Sequence, residues 1–322
     1  MRARQTVTLV FALIAGLMVP VHLFAQAFPA GEVRILVGYE PGGGTDMTAR
    51  AIANRLHANL GVPVIVENRP GALGQIAAQF VAKQPGNGRT LLVTTSSPIL
   101  AAPHLQPGFN PLKELAAVTL LTRFPGVLVV PASSPLKSIE DVVAEARRNP
   151  GKLTFATSGN GSMNHLAGEM LKKMAAIDMT HVPYKGSGPA LTALMGKHVD
   201  MSFAAIQGAV SRIRSGEFRA LGVDGAERAP VLPDVRSIRE AGFPEYGMSN
   251  WIGVFAPLQT PAELIAQMQK VFVDALKAPD VQKILVNDGQ TVVGSTPEQL
   301  QKEVAREYEK IGALVRALNI PK

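Results

Sequence analysis

Residues 33–56 read VRILVGYEPGGGTDMTARAIANRL, and this stretch decides the fold. Val33 to Val37 is an apolar run of strand length, the signature of a strand buried on both faces. Gly42, Gly43 and Gly44 then make a turn, and Thr45-Asp46 opens a helix. From Met47 to Leu60 that helix places Ala49, Ile52, Ala53, Leu56 and Leu60 on one face, and Gly61 ends it. A strand feeding a helix through bare glycines delivers unpaired N–H groups at the positive end of a helix dipole. Such a terminus is a seat for an anion.

The same construction returns at residues 153–174, LTFATSGNGSMNHLAGEMLKKM. A strand-like run enters a Gly-Asn-Gly-Ser turn and leaves as an amphipathic helix. A glycine triplet alone reads as a tight turn. Two anion seats in one chain point instead to a ligand held between two lobes.

The first residues stand apart from the fold. Arg2 and Arg4 form a basic start, Val7 to Val19 is an apolar run, and Ala25-Gln26-Ala27 is a small-x-small cleavage pattern. The run is shorter than the ~20 residues a membrane-spanning helix needs. The expectation is a secretory signal cut after about Ala27, and no later stretch has 18 consecutive apolar residues. The chain contains no cysteine, which removes disulfides, thiol nucleophiles, zinc-thiolate sites and lipidated-cysteine anchors together. An exported, unanchored chain of this kind is expected in the periplasm of a double-membraned bacterium.

The formal charge is +7, a long-range bias toward anions. Basic residues are dispersed, Arg147-Arg148 and Lys172-Lys173 being the longest runs, and aromatics make up 5%. Nucleic acid is therefore not an expected partner.

Strand-like runs recur at Val33–Val37, Val62–Val66, Thr90–Thr95, Gly126–Val130, Leu153–Thr157, Val199–Phe203, Arg219–Val223 and Ile252–Ala256. Helical patterns lie between most of them. Ser138 is placed to cap one helix. Thr260-Pro261-Ala262-Glu263 and Thr296-Pro297-Glu298-Gln299 both read as capping-box starts. The last helix keeps Leu300, Val304, Tyr308, Ile311, Val315 and Leu318 on one side. This alternation predicts two α/β units with parallel sheets, and VLVVP after Phe124–Gly126 is a candidate crossing between them.

Catalytic templates fail one by one. Met47 stands where a dinucleotide fingerprint needs its third glycine, and GxxxxGK[ST], GxSxG and HExxH are all missing. Ser162, His165 and Glu169 could share a helix face, yet a serine hydrolase also needs an aligned base and an oxyanion hole. The plainer reading makes Ser162 a helix cap and His165 a local packing group. His57, His104, His181 and His198 show no metal-ligand spacing, so neither metal nor cofactor is expected, nor catalysis. What survives is a set of neutral loops at strand C-terminal ends, Tyr39–Asp46, Thr95–Ile99, Ser158–Asn164 and Tyr184–Gly188. That edge is where open α/β sheets hold ligands.

The motifs PGGGTD (41–46), VENRPGALG (66–74), PGKL (150–153), SGNGSMNHLAGE (158–169), HVPYKGSGPALTALMGKHVD (181–200), LPDVRSIREAG (232–242) and NWIGVFAP (250–257) occur in order. With them the chain resembles the Bug family, the periplasmic solute receptors of tripartite tricarboxylate transporters. The resemblance implies a type II periplasmic-binding-protein fold. Its first lobe would comprise residues 28–125 and 252–322, its second 126–251, with a ligand cleft and hinge between them.

It also implies a carboxylate ligand, membrane transporter subunits as partners, and a monomer. A receptor that presents its ligand to a sensor kinase keeps the same fold and is the alternative. The family's ligand positions fall here on Tyr39, Gly43, Gly44, Thr45, Asp46, Ser96, Ser97, Ser162, Met163, Asn164 and Ala204.

Three departures bear on specificity: Glu40, Met163 and Ala204. Glu40 facing the cleft would disfavour a second carboxylate; facing out, it is a solvated charge. Met163 replaces a small hydroxyl residue with flexible apolar bulk. Ala204 stands where many relatives carry an acid, which weakens the case for an ammonium group. Met163 and Ala204 together lean toward a partly apolar acid.

Overall fold

The computed structural model describes residues 28–320 except residues 30 and 249. The expected signal segment, residues 1–27, lies outside the described residues. Among the described residues no helix is long and apolar enough to cross a membrane.

The chain forms two sheets, each flanked by helices. The first is built from β1 (Val33–Val37), β2 (Val64–Asn68), β3 (Thr90–Thr95), β4 (Leu115–Phe124), β10 (Asn250–Pro257) and β11 (Thr291–Val292), in the order β11-β4-β10-β3-β1-β2. The second is built from β5 (Gly126–Pro131), β6 (Thr154–Thr157), β7 (Thr180–Pro183), β8 (Met201–Ala205) and β9 (Phe218–Val223), in the order β7-β6-β8-β5-β9.

The expectation of parallel sheets needs correction, because both sheets are mixed. β1 pairs parallel with β2 and β3, whereas β10 runs antiparallel to both β3 and β4. In the second sheet β6 is parallel to β7 and β8, while β5 is antiparallel to β8 and β9. The antiparallel members are those at which the chain passes between the sheets. β4 leaves the first, Pro125 intervenes, β5 enters the second, and β10 returns beside β4 with Asn250 opposite Phe124.

Helix α1 (Gly44–Leu60) follows β1 and buries Ala49, Ile52, Ala53 and Leu56 against the first sheet. It starts at Gly44, three residues before the periodic stretch, and closes on Gly61 in the left-handed conformation. The remaining larger helices are α2 (Gln75–Ala82), α3 (Ile139–Arg148), α4 (Met163–Ala175), α5 (Ser187–Met195), α6 (Ile206–Arg214), α7 (Ala262–Leu276), α8 (Pro279–Asn287) and α9 (Pro297–Ala317).

Ser138 caps α3 by accepting the Asp141 N–H, and Thr296 with Gln299 forms a reciprocal capping box on α9. At α7 the expected box is absent. Pro261 is the cap residue, and the Thr260 hydroxyl donates to the Pro257 carbonyl instead. Along α9, Leu300, Val304, Ile311 and Val315 are buried, with Tyr308 and Leu318 packed at the margin. Every residue of β10 is buried, because it lies between β3 and β4 with helices over both faces.

Candidate functional site

The C-terminal edges of the two sheets face two neighbouring cavities that share Tyr39, Glu40, Ser158 and Gly186: one of about 410 Å³, lined also by Lys185, and a smaller one of about 70 Å³. A water needs about 10–15 Å³ measured this way, so the smaller space suits a small organic molecule and not a polymer. Its lining from the first sheet's side is Tyr39, Glu40, Pro41, Gly43, Gly44, Thr45, Thr95 and Ser97. The second side gives Ser158, Met163, Asn164, the turn 186–189, Ala205 and Gln207. Phe124 and Asn250 close the floor at the crossing strands.

Three helix N-termini reach this cavity without a side-chain cap, those of α1, α5 and α6. α1 begins after Gly43 and α5 after Gly186, and neither glycine can cap. Their first N–H groups have no partner inside the helix, and each terminus carries about half a positive charge. The other two helices that reach the cavity are already engaged. At α4 the Ser162 hydroxyl accepts the His165 N–H, and the Met163 N–H donates to Ser97 Oγ at 3.2 Å. At α6 the Ile206 N–H donates to the Pro125 carbonyl. Among the described residues no lysine, arginine or histidine lines the cavity. Positive potential here comes from backbone dipoles, as the loop composition suggested.

Tyr39 forms one wall. Its hydroxyl shares a 2.7 Å hydrogen bond with Thr95 Oγ1, and burial pushes the phenol up to about 12. Glu40 sits at the rim, solvent-exposed but part of the lining, and takes part in no ion pair among the described residues.

Four of the expected positions stand behind the lining. Asp46 is buried beneath the glycine turn. Its Oδ2 accepts the Gly42 N–H at 3.0 Å and Arg50 Nε at 2.9 Å, and its Oδ1 accepts Asn68 Nδ2. Burial raises its pKa, and these bonds outweigh that and hold it below the ordinary carboxylate value. Asp46 therefore braces the turn that presents Gly43 and Gly44. Ser96 is buried, while its neighbours Thr95 and Ser97 face the cavity.

Ser162 is the cap of α4. Ala204 points into the core from β8, and strand alternation gives the cavity face to Ala205. Met163 and Asn164 do line the cavity.

The Ser162–His165 pair does not have nucleophile geometry. Ser162 Oγ accepts a backbone N–H, and His165 Nδ1 accepts the Gly161 N–H at 2.9 Å. The His165 ring stacks on His181 at 3.7 Å between centroids, and Nε2 faces Glu169 at 3.7 Å. Burial, then the neighbouring His165, push the His181 imidazole down to about 3. The stacked pair supports the 158–162 loop from behind, His165 through the Gly161 N–H and His181 Nε2 through Thr157 Oγ1.

Two polar lining residues lie outside the candidate loops, Gln207 and Asn250. Gln207 follows the C-terminal end of β8, the same position in a βα unit that singled out the other loops. It was missed because that strand was ended at Phe203, two residues early. Asn250 is the one polar side chain heading the apolar strand β10, a signal present in NWIGVFAP.

A family model described as tripartite tricarboxylate transporter family receptor matches residues 48–320. Protein BugT of Bordetella pertussis is 35% identical over 312 residues, covering 95% of this chain and 94% of BugT. Among solved structures, R. palustris Rpa4515 with adipate is 31% identical with a TM-score of 0.88, covering 91% of this chain and 99% of that one. MatC from Rhodopseudomonas palustris with bound malate is 33% identical with a TM-score of 0.84, covering 89% and 100%.

Proposed function

We propose, for a chain that belongs to the tripartite tricarboxylate transporter receptor family, that the cavity between its sheets captures a small carboxylate for delivery to the membrane subunits of such a transporter. The observation that carries this reading is the pair of uncapped N-termini, those of α1 and α5, whose first N–H is not already taken as that of α6 is. α1 comes from one lobe and α5 from the other, and both open into a cavity without cationic side chains. A carboxylate supplies the missing acceptors on both sides, so binding and lobe closure become one event.

In this reading the ligand contacts are Tyr39, Gly43, Gly44, Thr45, Ser97, Met163 and Asn164. Asp46, Ser96, Ser162 and Ala204 support them from behind. Residues 28–125 with 252–322 move as one lobe and 126–251 as the other. The protein works in the periplasm as a monomer, freed of its signal after about Ala27, and performs no catalysis. Adipate and malate, named with the two related structures, set the size range to try first.

The test is a thermal-shift screen of the protein recovered from the periplasm, unfolded and refolded to strip carried ligand. Its panel holds mono-, di- and tricarboxylates, aromatic acids, amino acids and the matching amides. Ligand that binds only the folded state raises the melting temperature. A shift for an acid and none for its amide supports the reading, and shifts confined to neutral or cationic compounds defeat it. The intact mass of the same sample reports whether the chain begins at Phe28.

A further inference from the structure

The cavity holds two buried polar groups that the protein itself leaves unsatisfied. Gln207 is 6% exposed and Asn250 5% exposed, and both line the cavity. Gln207 Oε1 and Asn250 Nδ2 have no hydrogen-bond partner. A buried donor or acceptor left without a partner is costly, and in native proteins it marks a missing water, ion or ligand.

Gln207 also has a fixed place relative to the anion seat. Its Cβ lies 2.7 Å, and its Cδ 3.3 Å, from where a side chain on Gly44 would begin. The amide of Gln207 therefore hangs over the first residue of α1, beside the N–H groups that would take the carboxylate.

An ionised carboxylate offers only lone pairs, so it cannot satisfy Oε1. With the amide in this orientation the group that meets Gln207 Oε1 carries a hydrogen and lies close to the seated carboxylate, whereas the reversed amide would present Nε2 to an acceptor. A neutral donor fits a neutral amide without a desolvated charge. The lining adds a carboxylate, Glu40, and no cation, which disfavours a second negative charge on the ligand.

We propose that Gln207 and Asn250 make this receptor selective for small 2-hydroxy monocarboxylates. The carboxylate rests on the α1 N-terminus, the 2-hydroxyl donates to Gln207 Oε1, and Asn250 Nδ2 donates to a lone pair of the ligand. The inference rests on the carboxylate-receptor reading above and narrows it.

The experiment is calorimetric titration of the refolded mature protein with straight-chain monocarboxylates of three to eight carbons. Each is tested with and without a 2-hydroxyl, beside the 2-amino acids and α,ω-dicarboxylates of the same lengths. At the best-fitting length the hydroxy acid should bind about tenfold tighter than its parent, the worth of one neutral hydrogen bond. In Gln207→Leu that ratio should fall to about one. Gln207→Met serves as the second variant, and unliganded melting temperatures show that each is folded.

A dicarboxylate or amino acid binding tightest, a parent acid binding as tightly as its hydroxy form, or a ratio that survives in both variants overturns the inference and leaves the receptor reading standing. No binding by any acid overturns both.

Discussion

The carboxylate of Asp224 accepts the N–H of Gly126, the first residue of β5, while the Asp224 N–H donates to the Gly126 carbonyl at 3.0 Å. The Asp224 carbonyl in turn accepts the Met248 N–H at 3.0 Å, two residues before β10. One buried residue at the end of β9 thus ties together both passages between the sheets. Any side chain at position 126 would collide with this carboxylate, which is why the crossing strand begins with glycine.

The stability of the protein should depend on pH through Asp224. Burial pushes its carboxyl up to about 7, although the backbone N–H of Gly126 opposes the shift. In the unfolded chain the group ionises near pH 3.8. The native state favours the protonated form, so its contribution is fully present below about pH 4 and fades as pH rises through about 7. At about 1.4 kcal/mol per pH unit the loss is up to about 4 kcal/mol. Urea unfolding from pH 4 to 8 should show a smaller decline in Asp224→Asn, which keeps the acceptor and cannot ionise. Parallel curves for the two proteins would contradict this.

Gly44→Ala should separate folding from binding. Alanine suits the first turn of a helix and stabilises it by about 0.5–1 kcal/mol relative to glycine. Its methyl group would stand 2.7 Å from Gln207 Cβ on the opposite lobe and hold the cleft open. The expected result is an unliganded melting temperature unchanged or slightly raised, with carboxylate affinity lowered at least tenfold. Adding Gln207→Gly, which removes the opposing Cβ, should restore part of it, and a double-mutant cycle measures the coupling.

Ser97→Ala removes a bond that joins the two sides of the cavity, Met163 N–H to Ser97 Oγ at 3.2 Å, and on the proposed lobe closure it weakens the closed form. The donor is left buried without a partner, at about 1–3 kcal/mol. Ligand affinity should fall roughly tenfold or more. Small-angle scattering of the unliganded variant should shift toward a larger radius of gyration than the wild type.

Thr296→Ala should cost about 1 kcal/mol of stability by opening the capping box of α9. Thr296 lies outside the cavity lining, so calorimetric affinity for the carboxylate should stay within twofold of wild type.

Much of the fold was legible because its signals are local. VRILV followed by three glycines announces a buried strand and a helix N-terminus, and Thr296 with Gln299 announces a cap, without reference to the rest of the chain. The failures have a common cause. β4, LAAVTLLTRF, opens on the apolar run Leu115–Val118 and shows no strict alternation after it, and periodicity cannot tell such a stretch from a buried helix. The four-residue β7 is too short to carry a pattern. The Thr260-Pro261 sequence has the composition of a capping box, but its hydroxyl found a nearer acceptor in Pro257.

Within the site, the sequence by itself determined which loops present backbone N–H groups, because glycines and short polar residues at strand ends allow little else. It could not determine which neighbour of a pair turns inward. Ser97 and not Ser96 faces the cavity from the helical turn after β3, and Ala205 and not Ala204 faces it from the end of β8, where one residue of register reverses the strand's faces; only the packed structure fixes either. Nor could it place Gln207 over Gly44, residues 163 positions apart in the chain. That proximity arises only when two separate sheets pack face to face across the crossing strands that Asp224 ties together.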